Sequence, residues 1–180
     1  RVILAAGGAA GGKVGGVMDG YQLAKGLGHH RTALYPSLVQ VKTDPTYPRA
    51  LKGVKAQCGI SICRGSQVLA RNSGEVLFTD YGLSGPPVLQ VSRIISKNGS
   101  GQIILDLCPD LSKQQIESEI AARAAAFSNR DCMELLTGFI NKRLGQTAVK
   151  CAGIPLSTRC SALGKKFQTL PTALKALPSR

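Results

Sequence analysis

Two stretches of the chain carry residues whose types and spacing suit ligand chemistry. Val2-Ile3-Leu4-Ala5-Ala6-Gly7-Gly8 is a short apolar run ending in small residues and glycines. A buried parallel strand that delivers its backbone to a ligand has this composition. Gly7 and Gly8 have no Cβ, which permits close approach of the backbone to a cofactor. Asp19, beside Gly20 at the start of a predicted helix, can accept a hydrogen bond from a ligand hydroxyl or cap that helix. The residues alone leave both roles open. Strand-then-glycine units of this kind belong to dinucleotide-binding sheets whose first turn carries G-x-G-x-x-G, a spacing absent from these 180 residues. The expectation is therefore a nucleotide-binding unit entered part-way.

The second stretch is Glu75-Val76-Leu77-Phe78-Thr79-Asp80-Tyr81-Gly82-Leu83-Ser84-Gly85-Pro86-Pro87. A strand meets a polar, glycine-containing elbow and then a helix N-terminus. Unpaired amides there could receive an anion or a carbonyl oxygen, with Thr79, Tyr81, Gly82 and Ser84 as substrate-side candidates. Alternatively, Thr79, Asp80 and Ser84 satisfy turn and cap amides.

Other chemistries find less support. Gly7 to Lys13 matches the G-x-x-x-x-G-K of a phosphate-cradling loop, but Val14 stands where a hydroxyl must hold Mg²⁺. Gly15 and Gly16 then discourage the helix that should follow. His29 and His30 are adjacent and read as a solvated helix exit, not as a catalytic pair. Cys58, Cys63, Cys108, Cys132, Cys151 and Cys160 never form C-x-x-C pairs, so no zinc site and no other metal site is expected. Several lie in apolar runs, which points to buried, reduced thiols in a cytoplasmic protein. The catalytic residues stay unassigned.

The elements that must position these residues fall into three regions. Residues 1–35 combine the opening strand, a glycine-dense loop and a helix over Tyr21–Leu27 that stops at Gly28. Residues 36–110 read mostly as strands, over 37–43, 54–63, 67–71, 75–78 and 102–107, with a hairpin turn at 71–75. A helix interrupts them, capped by Ser84, with Pro86 and Pro87 in its first turn and its end at Asn98-Gly99. Residues 111–180 turn helical: Ser112 and Gln115 form a capping box, Asp131 and Glu134 repeat it, and a last helix starts at Pro171. Five strands followed by several helices predict an α+β chain, with a small β-barrel or sandwich beside a helical subdomain, preceded by a strand-loop-helix of the kind found in dinucleotide-binding, Rossmann-like sheets.

No apolar run approaches 18 residues, so no membrane span is expected; no charged-then-apolar leader is read in the chain, and a piece cut from a larger protein could have lost one. The formal charge of +13 favours anionic partners. From Leu135 to Arg180 there are eight basic residues and no acid. These basic residues are spread out, so acids elsewhere in a larger protein could balance them. The alternative is a basic barrel-plus-helix module that binds nucleic acid. Four phenylalanines and four tyrosines supply no interleaved stacking platform for that role. The helix-bearing part could also serve as a dimer or partner surface.

Five segments together resemble the bacterial aminoacetone oxidase family, FAD-binding flavoproteins that are NAD(P)/FAD-dependent oxidoreductases with an inserted domain. They are VILAAGG (2–8), DGYQLAK (19–25) followed by Leu27-Gly28-His29, LYPSLVQVKT (34–43), EVLFTDYGLSGPPVLQVS (75–92) and LDLCPDLS (105–112). The resemblance implies a two-part FAD-binding domain interrupted by a barrel and a helical bundle, with this chain holding chiefly the insertion. It places Gly7, Gly8, Asp19 and Gly20 beside FAD. It further implies a small-molecule substrate, a possible role for NAD(P)H, and the remainder of the FAD-binding domain as partner. The chain alone is then expected not to be catalytically competent. The family usually has Thr at Ala6, Gly at Met18 and often His at Asp80, departures that bear on the flavin contacts more than on the fold.

Overall fold

The computed structural model describes residues 1–179. Contacts divide the chain into two compact units, Arg1–Pro36 and the segment from Ser37 onward. In the first, α1 (Asp19–Gly26) follows a glycine-rich loop containing a short 3-10 turn, Gly12–Val14. Its end is set by backbone geometry. Gly28 takes φ +86°, its N–H donates to Lys25 O, and the His29 N–H donates to Ala24 O. This paired closure satisfies carbonyls that the last helical turn leaves open. Val2–Gly8, expected as a strand, forms no ladder, and Val2 and Ile3 are 93% and 92% exposed. A strand exists only through bonds to a neighbour, and no other segment of this unit offers an edge.

The second unit is α+β. Its sheet, six-stranded among the described residues, comprises β1 (Val41–Lys42), β2 (Lys55–Arg64), β3 (Gln67–Phe78), β4 (Gly82–Ser84), β5 (Gln102–Asp106) and β6 (Leu177–Ser179). The spatial order is β1-β4-β3-β2-β5-β6, every pair is antiparallel, and the sheet curls into a half-barrel. Side-chain alternation puts Cys58, Ile60 and Ile62 of β2, Val76 and Phe78 of β3, and Ile103 and Leu105 of β5 in one core. Between Ile62 and Cys63 the register with β3 shifts, so two consecutive residues are buried.

Three expectations about the strands are corrected. Residues 67–71 and 75–78 are one strand, and the turn expected at 71–75 is paired ladder, with Asn72 opposite Ile60 and Gly74 opposite Cys58. The hairpin turns instead at Gly65-Ser66, where Arg64 faces Gln67 and Gly65 has φ +59°, as a two-residue loop requires. Gly74 takes φ +148°, a conformation that favours glycine, and lies in van der Waals range of Pro87 at the start of the following helix. The strand expected over 37–43 shrinks to Val41–Lys42, and Leu38 adopts φ +55°.

Helices close the core. The turn α2 (Thr46–Ala50) precedes β2, and α3 (Pro86–Asn98) buries Val88 and Val91. Asn72 of β3 donates to Gln90 of α3 at 2.5 Å, and α3 ends at Gly99 with φ +82°. α4 (Lys113–Ala126) starts at Ser112 with the expected capping box and buries Ile116 and Ile120. The second expected box does not cap. Asp131 pairs with Arg159 and Glu134 with Arg130, and residues 132–134 form only one 3-10 turn. α5 (Lys142–Cys151) begins later, capped by Asn141, whose Oδ1 accepts from the Arg143 and Leu144 amides. Two turns between α4 and α5, the 3-10 turn at 132–134 and a second in which the Phe139 and Ile140 amides donate to Leu136 O, are gathered by Arg123. It pairs with Glu119, donates to Leu135 O and Thr137 O, and stacks on Phe139.

The final helix α6 (Thr169–Lys175) leads into β6, a strand not foreseen from the sequence because it is three residues long and contains Pro178. Proline is tolerated there because β6 is the sheet edge. The Lys175 ammonium binds Asp106 Oδ2 at 2.5 Å and donates to the carbonyls of Cys108 and Leu111, joining α6 to the end of β5. Lys175→Met strands the three-quarters-buried Asp106 carboxylate and frees two carbonyls, and is expected to cost about 2 kcal/mol. Lys52→Met, at the exposed pair with Asp80, should leave stability unchanged. Denaturant midpoints of the two variants check this, and equal midpoints would refute the clamp.

Candidate functional site

In the first unit the helix start and the glycine loop are in contact. Gly20 is buried, and a Cβ on it would lie 3.1 Å from Ala6 Cβ and 3.7 Å from Gly7 O. A Cβ on Gly8 would meet the Tyr21 hydroxyl at 2.9 Å, and Gly8 O accepts from the Val17 N–H. Gly7 has φ +70° with open space beside it. Gly8 and Gly20 thus lie where loop and helix meet; the positive φ of Gly7 and the close Ala6 contact at Gly20 favour glycine, whereas at Gly8 only the movable end of the Tyr21 side chain stands in the way. Asp19 is exposed in the first turn of α1. Met18 holds the N-cap position, and the Asp19 side chain makes no cap bond or ion pair among the described residues. The cap role is therefore not exercised here. The carboxylate is free for a ligand hydroxyl, beside first-turn amides that have no intrahelical acceptor.

Tyr21 was not foreseen from the sequence as part of this site. Its signal is positional, two residues after Asp19. Its ring also carries the Arg31 guanidinium at 5.6 Å and helps line a cavity of about 380 Å³ with Ala24, Lys25, His29, His30 and Ala33. Both histidines are exposed on the turn after α1.

In the second unit the elbow is a tight closure between β3 and β4. The Thr79 amide and hydroxyl both donate to Gly82 O, at 2.9 and 3.0 Å. Tyr81 O accepts from the Thr43 amide, while its ring is half-exposed. Lys52 donates to Asp80 at 2.9 Å, and that hydrogen bond holds the Asp80 carboxyl below the usual carboxylate range. A Cβ on Gly82 would sit 2.1 Å from Val41 O, and one on Gly85, at φ +100°, 2.3 Å from Glu75 O. Backbone strands pass too closely there for any side chain.

The helix-cap role expected for Ser84 is not observed. Ser84 lies in β4 opposite Leu77, and Gly85 holds the N-cap position of α3 without a side-chain bond. Pro86 and Pro87 lack amide hydrogens, so this helix start offers an anion few donors. Ser84 is only 7% exposed, yet its hydroxyl has no partner among the described residues. Within the elbow, Thr79 and Gly82 are consumed in closing the turn, whereas the Tyr81 ring and the Ser84 hydroxyl keep unused bonding capacity.

The family model for the HI0933-like protein barrel and H2TH domain matches residues 35–180. The chain belongs to the HI0933-like family. That description fits the curled sheet and the α4–two turns–α5 segment of this HI0933-like chain. A relative, the 3-dehydro-bile acid delta(4,6)-reductase of Clostridium scindens, is 34% identical over 148 residues. The alignment covers 80% of this HI0933-like chain and 36% of the reductase. The family match includes the elbow and begins after Gly7, Gly8, Asp19 and Gly20. No helix among the described residues is long and apolar enough to cross a membrane.

Gly82→Ala forces a Cβ into Val41 O and is expected to destabilise the HI0933-like chain by roughly 3 kcal/mol or more. Tyr81→Phe, which removes only an unpaired hydroxyl, should fold as the parent does. Thermal melts of both variants check this; a Gly82→Ala variant as stable as the parent would contradict the close approach.

Proposed function

We propose that this HI0933-like chain is part of a FAD-dependent oxidoreductase resembling aminoacetone oxidases, and chiefly that enzyme's inserted domain. The family match over residues 35–180, joined to a relative that is a reductase, carries the proposal. The glycine cluster supports the cofactor assignment. Gly7 offers open space beside its backbone, Gly8 and Gly20 let α1 lie against that backbone, and Asp19 presents a carboxylate with no partner among the described residues. This donor and acceptor set fits a cofactor that bears both phosphates and hydroxyls. Bound FAD supplies the hydride or electron chemistry, with NAD(P)H as a candidate electron source.

The protein's own part is binding and orientation. Gly7, Gly8 and Gly20 contact the cofactor through backbone, and Asp19 accepts from a hydroxyl. Tyr81 and Ser84 face a small-molecule substrate, while Thr79 and Gly82 hold the elbow in shape. The remainder of the FAD-binding domain is the partner of the first unit, whose exposed Val2, Ile3, Leu4 and Leu23 need apolar cover. The chain by itself is not catalytically competent. Free cysteines throughout, five of the six buried, agree with a reducing cytoplasmic setting.

The test is the absorption spectrum of the whole protein as purified, then after addition of NADH or NADPH. Flavin bands that bleach on reduction are expected; a colourless protein that takes up no added FAD would sink the proposal. In that whole protein Asp19→Ala should weaken FAD binding about tenfold or more, as expected for losing a hydrogen bond to a charged group. Unchanged flavin occupancy would remove Asp19 from the cofactor site.

A further inference from the structure

The two turns between α4 and α5 are tied to the segment after α5 by a short antiparallel bridge. Asp131 faces Arg159, the Cys132 amide donates to Thr158 O at 2.8 Å, and the Cys160 amide donates to Arg130 O at 2.9 Å. Residues next to a bridged pair point to the opposite face of the ladder. Asp131 and Arg159 therefore meet on the solvent side, and Cys132 and Cys160 share the buried side. Cys132 is 1% exposed and Cys160 3%, each opens a 3-10 turn, and both belong to the buried core.

We propose that Cys132 and Cys160 are an oxidisable dithiol, converted by a peroxide into a disulfide that staples the two turns to the segment after α5. The Asp131–Arg159 bridge brings both thiols to the same buried side. Burial raises both. Cys132 is pushed up to about 12, whereas the hydrogen bond from Cys132 offsets part of the rise at Cys160. Either sulfur can attack once the turns open, here Cys160. Its thiolate attacks one peroxide oxygen, the O–O bond breaks, and the leaving hydroxide takes a proton to depart as water. The Cys132 sulfur then attacks the Cys160 sulfenic sulfur, the S–O bond breaks, and a second water leaves. Two thiols lose two hydrogens, and one peroxide becomes two waters. Burial makes the step depend on local opening of the two turns, so oxidation is slow and, once complete, shielded from reductants.

The full chain is treated with hydrogen peroxide, alkylated in denaturant and analysed by intact and peptide mass. The expected product has lost two hydrogens, shows four alkylated cysteines in place of six, and yields a Cys132–Cys160 linked peptide that dithiothreitol resolves. Its thermal midpoint should rise on the order of 5–10 °C. Cys132→Ser should abolish the link and Cys151→Ser should keep it. If Cys132→Ser fails to fold, the peptide map of the parent chain decides alone. Six labelled thiols after treatment, oxygen addition without a link, or a link between other cysteines would each overturn the proposal.

Discussion

The ammonium of Lys175 is the contact on which the second unit depends. It reaches the Asp106 carboxylate and two carbonyls of the turn after β5, so each of its hydrogens has an acceptor. Asp106 is doubly held, since its other oxygen accepts from the Cys108 amide. Beside this clamp the Leu107 amide donates to Leu174 O, and Leu177 pairs with Leu105. The sheet and the helices are thereby joined by polar bonds at the rim and by one continuous apolar core beneath it. Apolar burial supplies most of the stabilisation, but it is non-directional. The ion pair and the β5–β6 ladder set how α6 enters and which edge of the sheet it extends.

A different constraint shapes the elbow. Gly82 and Gly85 stand where backbone passes backbone within a distance that no Cβ can occupy. Thr79 closes the same turn with two bonds to one carbonyl. The elbow is therefore stiff, as the proposed substrate-facing role would require. Tyr81 and Ser84 are the side chains it leaves with unused hydrogen-bonding capacity. The glycine cluster of the first unit follows similar logic with a different result. Gly8 and Gly20 let helix and loop touch, while the space beside Gly7 stays open.

Much of this was legible in the residues. Ser112 and Gln115 announce α4 because both halves of the capping box lie within one turn of chain. Gly28 and Gly99 end their helices because only glycine takes those positive φ values without strain. The long apolar strands of the half-barrel were readable from β-branched residues in alternation. Asp131 misled because an acidic residue three before a glutamate has the form of a cap, yet Arg159, brought in by folding, takes its carboxylate, and Arg130, four residues before Glu134, takes the other. Asn72-Ser73-Gly74 misled likewise. These are turn residues in isolation, but a partner strand and the weight of α3 hold them extended.

By itself, the sequence determined the fold class, the helix stops that need glycine, and the candidate ligand residues at Gly7, Gly8, Asp19 and the elbow. Only the tertiary structure decided that Ser84 is a buried strand residue whose hydroxyl has no partner among the described residues, that Lys175 seals β5 to α6, and that Cys132 and Cys160 share the buried side of one bridge. The reason is physical. Helix ends and turns are governed by conformational preferences a few residues long, which a single chain segment already contains. Pairings such as 106 with 175 or 132 with 160 depend on chain reversals whose cost is met only by the whole core, and no local signal records them.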